Sequence, residues 1–371
     1  MDLSIIIVSY RVKYFLEQTL RSAQEALSGL DGEIIVIDNQ SADDTMDFVK
    51  SRFPDVTFIE NQENVGFARA NNQAIMQARG EFSLILNPDT IITRESLKEP
   101  LAWMHSHPKC GAIGVHMIDG DGHFLPESKR AFPSPWVSFC KIFGLSKLFP
   151  KSRVFAKYHL RYLDEHEPHA VDILAGAYML CRTSLLRQLK GFDEDFFMYG
   201  EDIDLSYRMV QAGFENWYLP VDIIHYKGES TKKDSLQYVR IFYNAMLIFY
   251  RKHFPRFRVV VYPFIKLGVW VRQSFAIAKR LLKKAFCCKG KAEKPGNWVI
   301  LSKRAAQVAA QAGIAHYATE VPVEGKAQVL LDDATYSYSE IVATIARNSR
   351  KGLNFHIFSE ANQLIISPKM Q

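Results

Sequence analysis

Three short runs of branched and aromatic residues, each stopping at a polar loop, limit what this chain can fold into. Residues 5–8 (Ile-Ile-Ile-Val) run into Ser9-Tyr10, residues 34–37 into Asp38-Asn39, and residues 82–86 into Asn87-Pro88-Asp89. Between the first two runs, Phe15, Leu16, Leu20, Ala23 and Leu27 recur at helical spacing. Strands alternating with helices predict an α/β fold, a mainly parallel sheet with helices on both faces. Ligands of such sheets bind beyond the carboxyl ends of the strands. The three polar ends therefore locate a candidate site.

Downstream the pattern loosens. Residues 110–170 hold many Pro, Phe and His residues in what read as long connections, as expected of loops laid over a rigid sheet. Order returns over 171–182 and in a helix beginning near Glu201. A strand over 215–219 then leads to Ile223-Ile224-His225. The N-terminal apolar run has no basic segment before it and no small-residue cleavage site after it, so it reads as a first strand rather than a signal peptide. Five cysteines (Cys110, Cys140, Cys181, Cys287 and Cys288) show neither metal-ligand spacing nor a disulfide framework, which fits a reducing cytoplasm.

The net charge of +6 is unevenly spread. Residues 251–294 hold thirteen Lys and Arg against one acid, Glu293, which leaves 33 bases and 39 acids elsewhere. Within that segment, residues 259–282 are apolar but broken by Lys266, Arg272, Lys279 and Arg280, too charged for a membrane span. They predict an amphipathic helix lying on an anionic membrane surface, at the inner face of the cell membrane. Nucleic-acid binding is disfavoured, because the bases lie beside an apolar stripe. A Lys/Gly/Pro linker at 289–296 precedes a small α/β module with no phosphate-binding glycine loop and no catalytic cluster. The expected division is 1–255, a basic amphipathic segment over 256–290, and an accessory module over 295–371.

Four motifs then occur in order: Asp38-Asn39; Asn64-Val65-Gly66-Phe67 with Asn71-Asn72; Asn87-Pro88-Asp89-Thr90; and Gly200-Glu201-Asp202-Ile203-Asp204. Over residues 1–255 the chain resembles the family 2 glycosyltransferases of GT-A (Rossmann-like) fold, most of all their rhamnosyltransferase-like branch. The resemblance implies a nucleotide-sugar donor bound by Ser9, Tyr10, Asp38, Asn39, Gly66, Asn71 and Asn87. It implies a divalent metal, Mn²⁺ or Mg²⁺, on Asp89 and His225, although Asn87 stands where the family's Asp-x-Asp has its first carboxylate. It also implies that Asp202 is the base of an inverting transfer. Glu201 beside it is expected to raise the basicity of Asp202 by like-charge proximity. The free N–H groups at the helix start after Gly66 are expected to meet the donor. Arg130, Lys227 and Lys232 are candidate phosphate or acceptor contacts.

Each residue has a plainer reading. Asp38 could cap a turn, Asn71 and Asn72 could be core amides, and Asp202 could open a helix. Of Phe192, Phe196, Phe197 and Tyr199, most read as core, leaving one free to stack on a sugar. The expected reaction moves a sugar, from dTDP-rhamnose or a UDP-sugar, to a glycan or lipid-linked acceptor of the cell surface. A glycoside hydrolase does not explain nucleotide-type residues at three strand ends. A non-catalytic scaffold does not explain Asp38, Asp89, Asp202 and His225 together.

Overall fold

The computed structural model describes residues 1–142, 144–227, 236–255, 263, 297–322, 325–349 and 352–368. Lys232 and the basic segment over 256–290, residue 263 apart, fall outside them. The apolar runs form the expected strands, β1 (Leu3–Ser9) and β2 (Gly32–Asp38), with helix α1 (Lys13–Ala26) between them. After α2 (Thr45–Lys50), β3 (Thr57–Glu60) and α3 (Phe67–Gln77) comes β4 (Phe82–Leu86), then β5 (Thr90–Ile91) and α4 (Arg94–Ser106). β1 pairs in parallel with both β2 and β4, and β2 with β3.

Residues 110–118, expected within a loose stretch, are instead β6 (Cys110–Ile118), nine residues buried throughout. Its two glycines and a histidine dilute the branched-residue signal by which a strand is read. Next come α5 (Pro135–Ile142), α6 (Leu145–Leu148), β7 (His169–Val171), β8 (Tyr178–Arg182), α7 (Thr183–Gln188), α8 (Glu201–Gln211), β9 (Glu215–His225) and α9 (Leu236–His253). The sheet runs β3-β2-β1-β4-β8-β6-β9-β5, with β7 added on β9. It is parallel from β3 to β4 and mixed beyond, since β8 opposes both β4 and β6 while β6 and β9 run together. β9 contains Pro220, which has no N–H to give a ladder. The register slips between Leu219 and Asp222, so the proline sits in an irregularity rather than in a bonded position.

The chain ends in a second sheet. β10 (Trp298–Leu301), α10 (Ala305–Ala312), β11 (Tyr317–Ala318), β12 (Gln328–Asp332), α11 (Tyr338–Asn348), β13 (Asn354–Ser359) and β14 (Leu364–Ile366) give the order β11-β10-β12-β13-β14. Only β14 is antiparallel to its neighbour. This sheet is not independent of the first. One apolar cluster runs from Ile5, Leu20 and Ile223 to Val329, Ile341 and Phe355. Tyr338 N donates to Glu25 on α1, Ser339 Oγ to Glu95 on α4, and Phe355 N to Asp121 beyond β6. The packing explains why α1 buries polar Glu17, Gln18, Thr19 and Ser22 as well as its apolar stripe. Glu17, almost fully enclosed, is matched by Arg21 at 2.7 Å and by the Asn362 amide. Among the described residues, no helix is long and apolar enough to cross a membrane.

The turn before β4 is built on a close backbone approach. A Cβ on Gly80 would lie 2.5 Å from Ser4 N and 2.6 Å from Leu3 C, inside the first strand pair. Gly80→Ala should therefore cost about 1–3 kcal/mol, the usual range for forced overpacking, measured as a lower urea midpoint at unchanged m. An unchanged midpoint would show that this edge yields.

Candidate active site

Strand register sets the first half of the site. Ser9 and Asp38 are paired residues at the ends of β1 and β2, and Ile7 pairs with Leu86 at the end of β4. The polar ends therefore lie side by side at one edge, as the sequence predicts. Asp38 spends both carboxylate oxygens on its own loop, Oδ2 accepting from Ser41 N at 2.9 Å and Oδ1 from Ser41 Oγ at 2.5 Å. Ser41 in turn accepts from Arg11 N, and the Arg11 guanidinium lies over the Tyr10 ring. Asn39 latches the loops together. Its amide donates to Asn64 and Gly66 O, and its oxygen accepts from Val65 N. Ser9 Oγ is buried with no hydrogen-bond partner among the described residues.

The glycine turn differs from expectation. Gly66 has φ 84°, and a Cβ there would meet Phe197 O at 2.6 Å. What approaches Gly66 is thus the Phe197 peptide, and Phe197 O also takes the N–H of Phe67 at 2.9 Å. The first N–H of α3 is spent inside the protein, not free for a donor. Asn72 ties α3 to the 192–194 segment, and Asn71 donates to Phe67 O while its Oδ1 has no partner among the described residues. Phe192 and Phe196 are core, whereas Phe197 is half-exposed.

The second cluster forms where β5 pairs with β9. Thr90 faces His225 across the ladder, and Tyr226 N donates to Asp89 O. His225 Nε2 consequently lies 3.3 Å from Asp89 Oδ1 and 3.2 Å from the Asn87 amide. Its Nδ1 is buried without a partner among the described residues. Thr19 on α1 holds this loop through Pro88 O and Thr90 O at 2.9 and 2.8 Å. Sequence reasoning passed over Thr19, although a polar residue inside an apolar helical stripe was a signal. Among the described residues, no group of three or more His, Cys, Asp or Glu side chains could hold a metal. A carboxylate and an imidazole side by side nonetheless fit a cation that draws its other ligands from a diphosphate. Lys227 is paired with Glu127; burial pushes that carboxyl up, but the ammonium overcomes it and holds it at about 2.

The third group is at the start of α8. Arg130, largely buried, donates through Nη2 to Asp202 Oδ2 at 2.5 Å and to Leu174 O at 2.6 Å. Asp202 Oδ1 accepts from Ile203 N. Gly176 N faces Asp202 Oδ2 at 3.4 Å, and the adjacent Ala177 O accepts from Asn87 N. One peptide of the 174–177 loop thus separates the helix-start carboxylate from the β4 end. The expected effect of Glu201 on Asp202 takes a different form. Glu201 is the enclosed member, and burial followed by the Asp202 charge pushes its carboxyl up to about 8. Asp202 meets Arg130 instead. Behind Arg130 stands Tyr158, also missed, whose phenol bonds to the guanidinium and whose ring carries the Lys141 ammonium at 3.5 Å.

The polar strand ends, the Asn87–Asp89–His225 cluster and the ion-paired carboxylate at the start of α8 together form the candidate site. Residues 4–188 match the family described as "Glycosyl transferase family 2". The chain is 29% identical over 260 residues to N-acetylglucosaminyl-diphospho-decaprenol L-rhamnosyltransferase of Mycobacterium tuberculosis, covering 67% of this chain and 83% of that protein. It is 31% identical over 173 residues to rhamnosyltransferase WbbL of Escherichia coli, covering 43% of this chain and 61% of that one. Mannosyltransferase PcManGT from Pyrobaculum calidifontis, solved with GDP-Man and Mn²⁺, superposes at TM-score 0.48 and 20% identity over 78% of this chain and 76% of that one. The chain belongs to glycosyltransferase family 2 and is a glycosyltransferase.

The Glu201 carboxyl gives a pH test. Raised from 4.5 to about 8, it binds a proton in the folded state that the unfolded chain has released, so its contribution to stability falls as pH rises through that window. Glu201→Gln should raise Tm relative to wild type above pH ~8 and leave it nearly unchanged near pH ~4.5. A Tm difference independent of pH would remove the proton from Glu201.

Proposed function

We propose that the protein is an inverting, metal-dependent glycosyltransferase that moves a sugar from a nucleoside-diphosphate donor to a hydroxyl of a lipid-linked or glycan acceptor in cell-surface polysaccharide synthesis. The observation that supports this best is the 174–177 loop, whose Gly176 N faces Asp202 and whose Ala177 O takes the N–H of Asn87, at the start of the Asn87–Asp89–His225 cluster. In this reading one loop joins the base for the acceptor to the pole for the leaving group. The acceptor class rests on the decaprenol-linked substrate in the name of the mycobacterial relative.

In this reading Ser9, Tyr10 and Asp38 receive the nucleoside at the β1–β2 end, with Asn39 and Gly66 fixing the loop around it. Asn71 and Asn87 offer amide atoms toward the donor. Asp89 and His225 would hold Mn²⁺ or Mg²⁺, whose charge offsets that of the departing diphosphate. Asp202 takes the proton from the acceptor hydroxyl as that oxygen bonds to the anomeric carbon. The bond from that carbon to the diphosphate oxygen breaks, and the nucleoside diphosphate leaves with the electron pair. Arg130 fixes the Asp202 carboxylate in orientation, and the protonated Glu201 adds no second negative charge beside it. Lys227 and Lys232 are candidates for the diphosphate, Lys227 after release from Glu127. Peripheral attachment at the inner membrane face through the 256–290 segment belongs to the same proposal.

Asp202→Asn should retain donor binding but lose transfer by about 10²–10⁴-fold, read as nucleoside diphosphate released with a lipid-linked acceptor. Transfer at the wild-type rate would assign the base elsewhere. His225→Ala should raise the Mn²⁺ concentration needed for half-maximal turnover by about 10-fold or more, checked by titration after chelation. An identical metal profile would remove His225 from the cation.

A further inference from the structure

The connection that sequence reading treated as loose loops carries the most apolar exposed surface of the described residues. Trp136 and Phe139 on α5, Leu148 and Phe149 at the end of α6, and Val154 are exposed, several by about half or more. They are one patch rather than scattered side chains. The Trp136 and Phe139 rings stack at 5.7 Å, Trp136 reaches Phe155 at 6.2 Å, and Phe155 reaches Phe149 at 5.2 Å. Single exposed apolar residues need no explanation, but a contiguous aromatic set does.

Charge identifies the occupant. From Ser128 to Leu163 the chain has no Asp or Glu at all, while Lys141, Lys147, Lys151, Arg153, Lys157 and Arg161 fall within or just after the patch. Lys151, Arg153 and Lys157 are exposed in the same stretch of chain. Exposed Trp, Phe and Leu side chains on an acid-free stretch of chain that also carries exposed Lys and Arg match the boundary of an anionic bilayer, where aromatic rings sit at headgroup depth and bases meet lipid phosphates. The patch is also tied to the helix that precedes the basic segment in the chain. α5 is pinned to α9 through Ser138 Oγ and Tyr250 Oη at 2.9 Å, and Tyr250 also bonds Pro133 O. The segment over 256–290 follows α9 directly in sequence. On its inner side the patch element reaches the site, since Lys141 lies over Tyr158, which bonds Arg130.

We infer that the Trp136–Phe139–Phe149–Val154 surface is a second membrane-docking face, which seats the protein on an anionic bilayer with the Arg130–Asp202 end toward the lipid. This goes beyond the transfer reaction and does not require it. The test uses the full chain in flotation with phosphatidylcholine vesicles, with and without phosphatidylglycerol. Wild type should float with the anionic vesicles and much less with the neutral ones. Trp136→Glu/Phe149→Glu should lower the anionic partition coefficient by about tenfold or more while keeping the wild-type Tm and donor affinity. Lys151→Gln/Arg153→Gln, which leaves the rings in place, should lower it by a smaller factor, and only in vesicles with phosphatidylglycerol. Flotation of the Glu variant equal to wild type overturns the inference. So does a wild-type dimer in sedimentation that the Glu variant splits without any change in flotation, because the patch is then a face between copies. So does a variant that still floats but no longer turns over a detergent-dissolved polyprenyl acceptor, because the patch then grips the acceptor tail. Since flotation reads no turnover, its failure and the failure of the transfer reading are separable.

Discussion

The two-residue ladder between β5 and β9 is short for what depends on it. Thr90 opposite His225 and Ile91 opposite Ile224 join parts of the chain more than a hundred residues apart. Without that pairing, His225 would not lie against Asp89 and Asn87. The Asn-Pro-Asp loop would also lose the partner that fixes its exit. Thr19 secures the same loop from α1, so the loop is held from the helix layer and from the sheet at once. If the cluster receives the charged ligand proposed for it, such double fixing matters because preorganised groups need not be ordered when the ligand arrives.

A second dependence runs through Arg130. Its guanidinium is enclosed, and it ties Asp202 to the carbonyl of Leu174 and to the phenol of Tyr158. Removing one member of a buried pair typically leaves a stranded charge that costs about 3–5 kcal/mol. The carboxylate at the start of α8 is therefore held as firmly as a core residue while remaining at the site. Glu201 resolves the crowding of two acids by keeping its proton, as burial next to a like charge demands.

Much of this was legible in the sequence, and the reasons are specific. β1, β2 and β4 are branched and apolar throughout, so their carboxyl ends could be found and with them Ser9, Asp38 and Asn87. The same logic failed for β6, whose glycines and histidine hide a fully buried strand. Motif order supplied Asp89, Asp202 and His225, but not how their neighbours are used. Asn39 and Gly66 proved to be occupied by the protein itself, because a loop that must be rigid consumes its own amides. Tyr158 and the Trp136 surface were invisible for a different reason. Each gains meaning only from what tertiary packing sets beside it, and no local period marks that.

The shared core between the two sheets has a consequence for how the chain acquires its structure. Val329, Ile341 and Phe355 pack into the cluster that also holds Ile5, Leu20 and Ile223, so the apolar face of the first sheet is not closed by the residues that build it. During synthesis the strands bearing the site leave the ribosome well before the segment that covers α1. For that interval an apolar surface is open to solvent and to other nascent chains. Contacts of such long sequence separation form late and slowly. The residues from Trp298 onward thus act on the transferase in time as well as in space: the first sheet waits on them for its final cover.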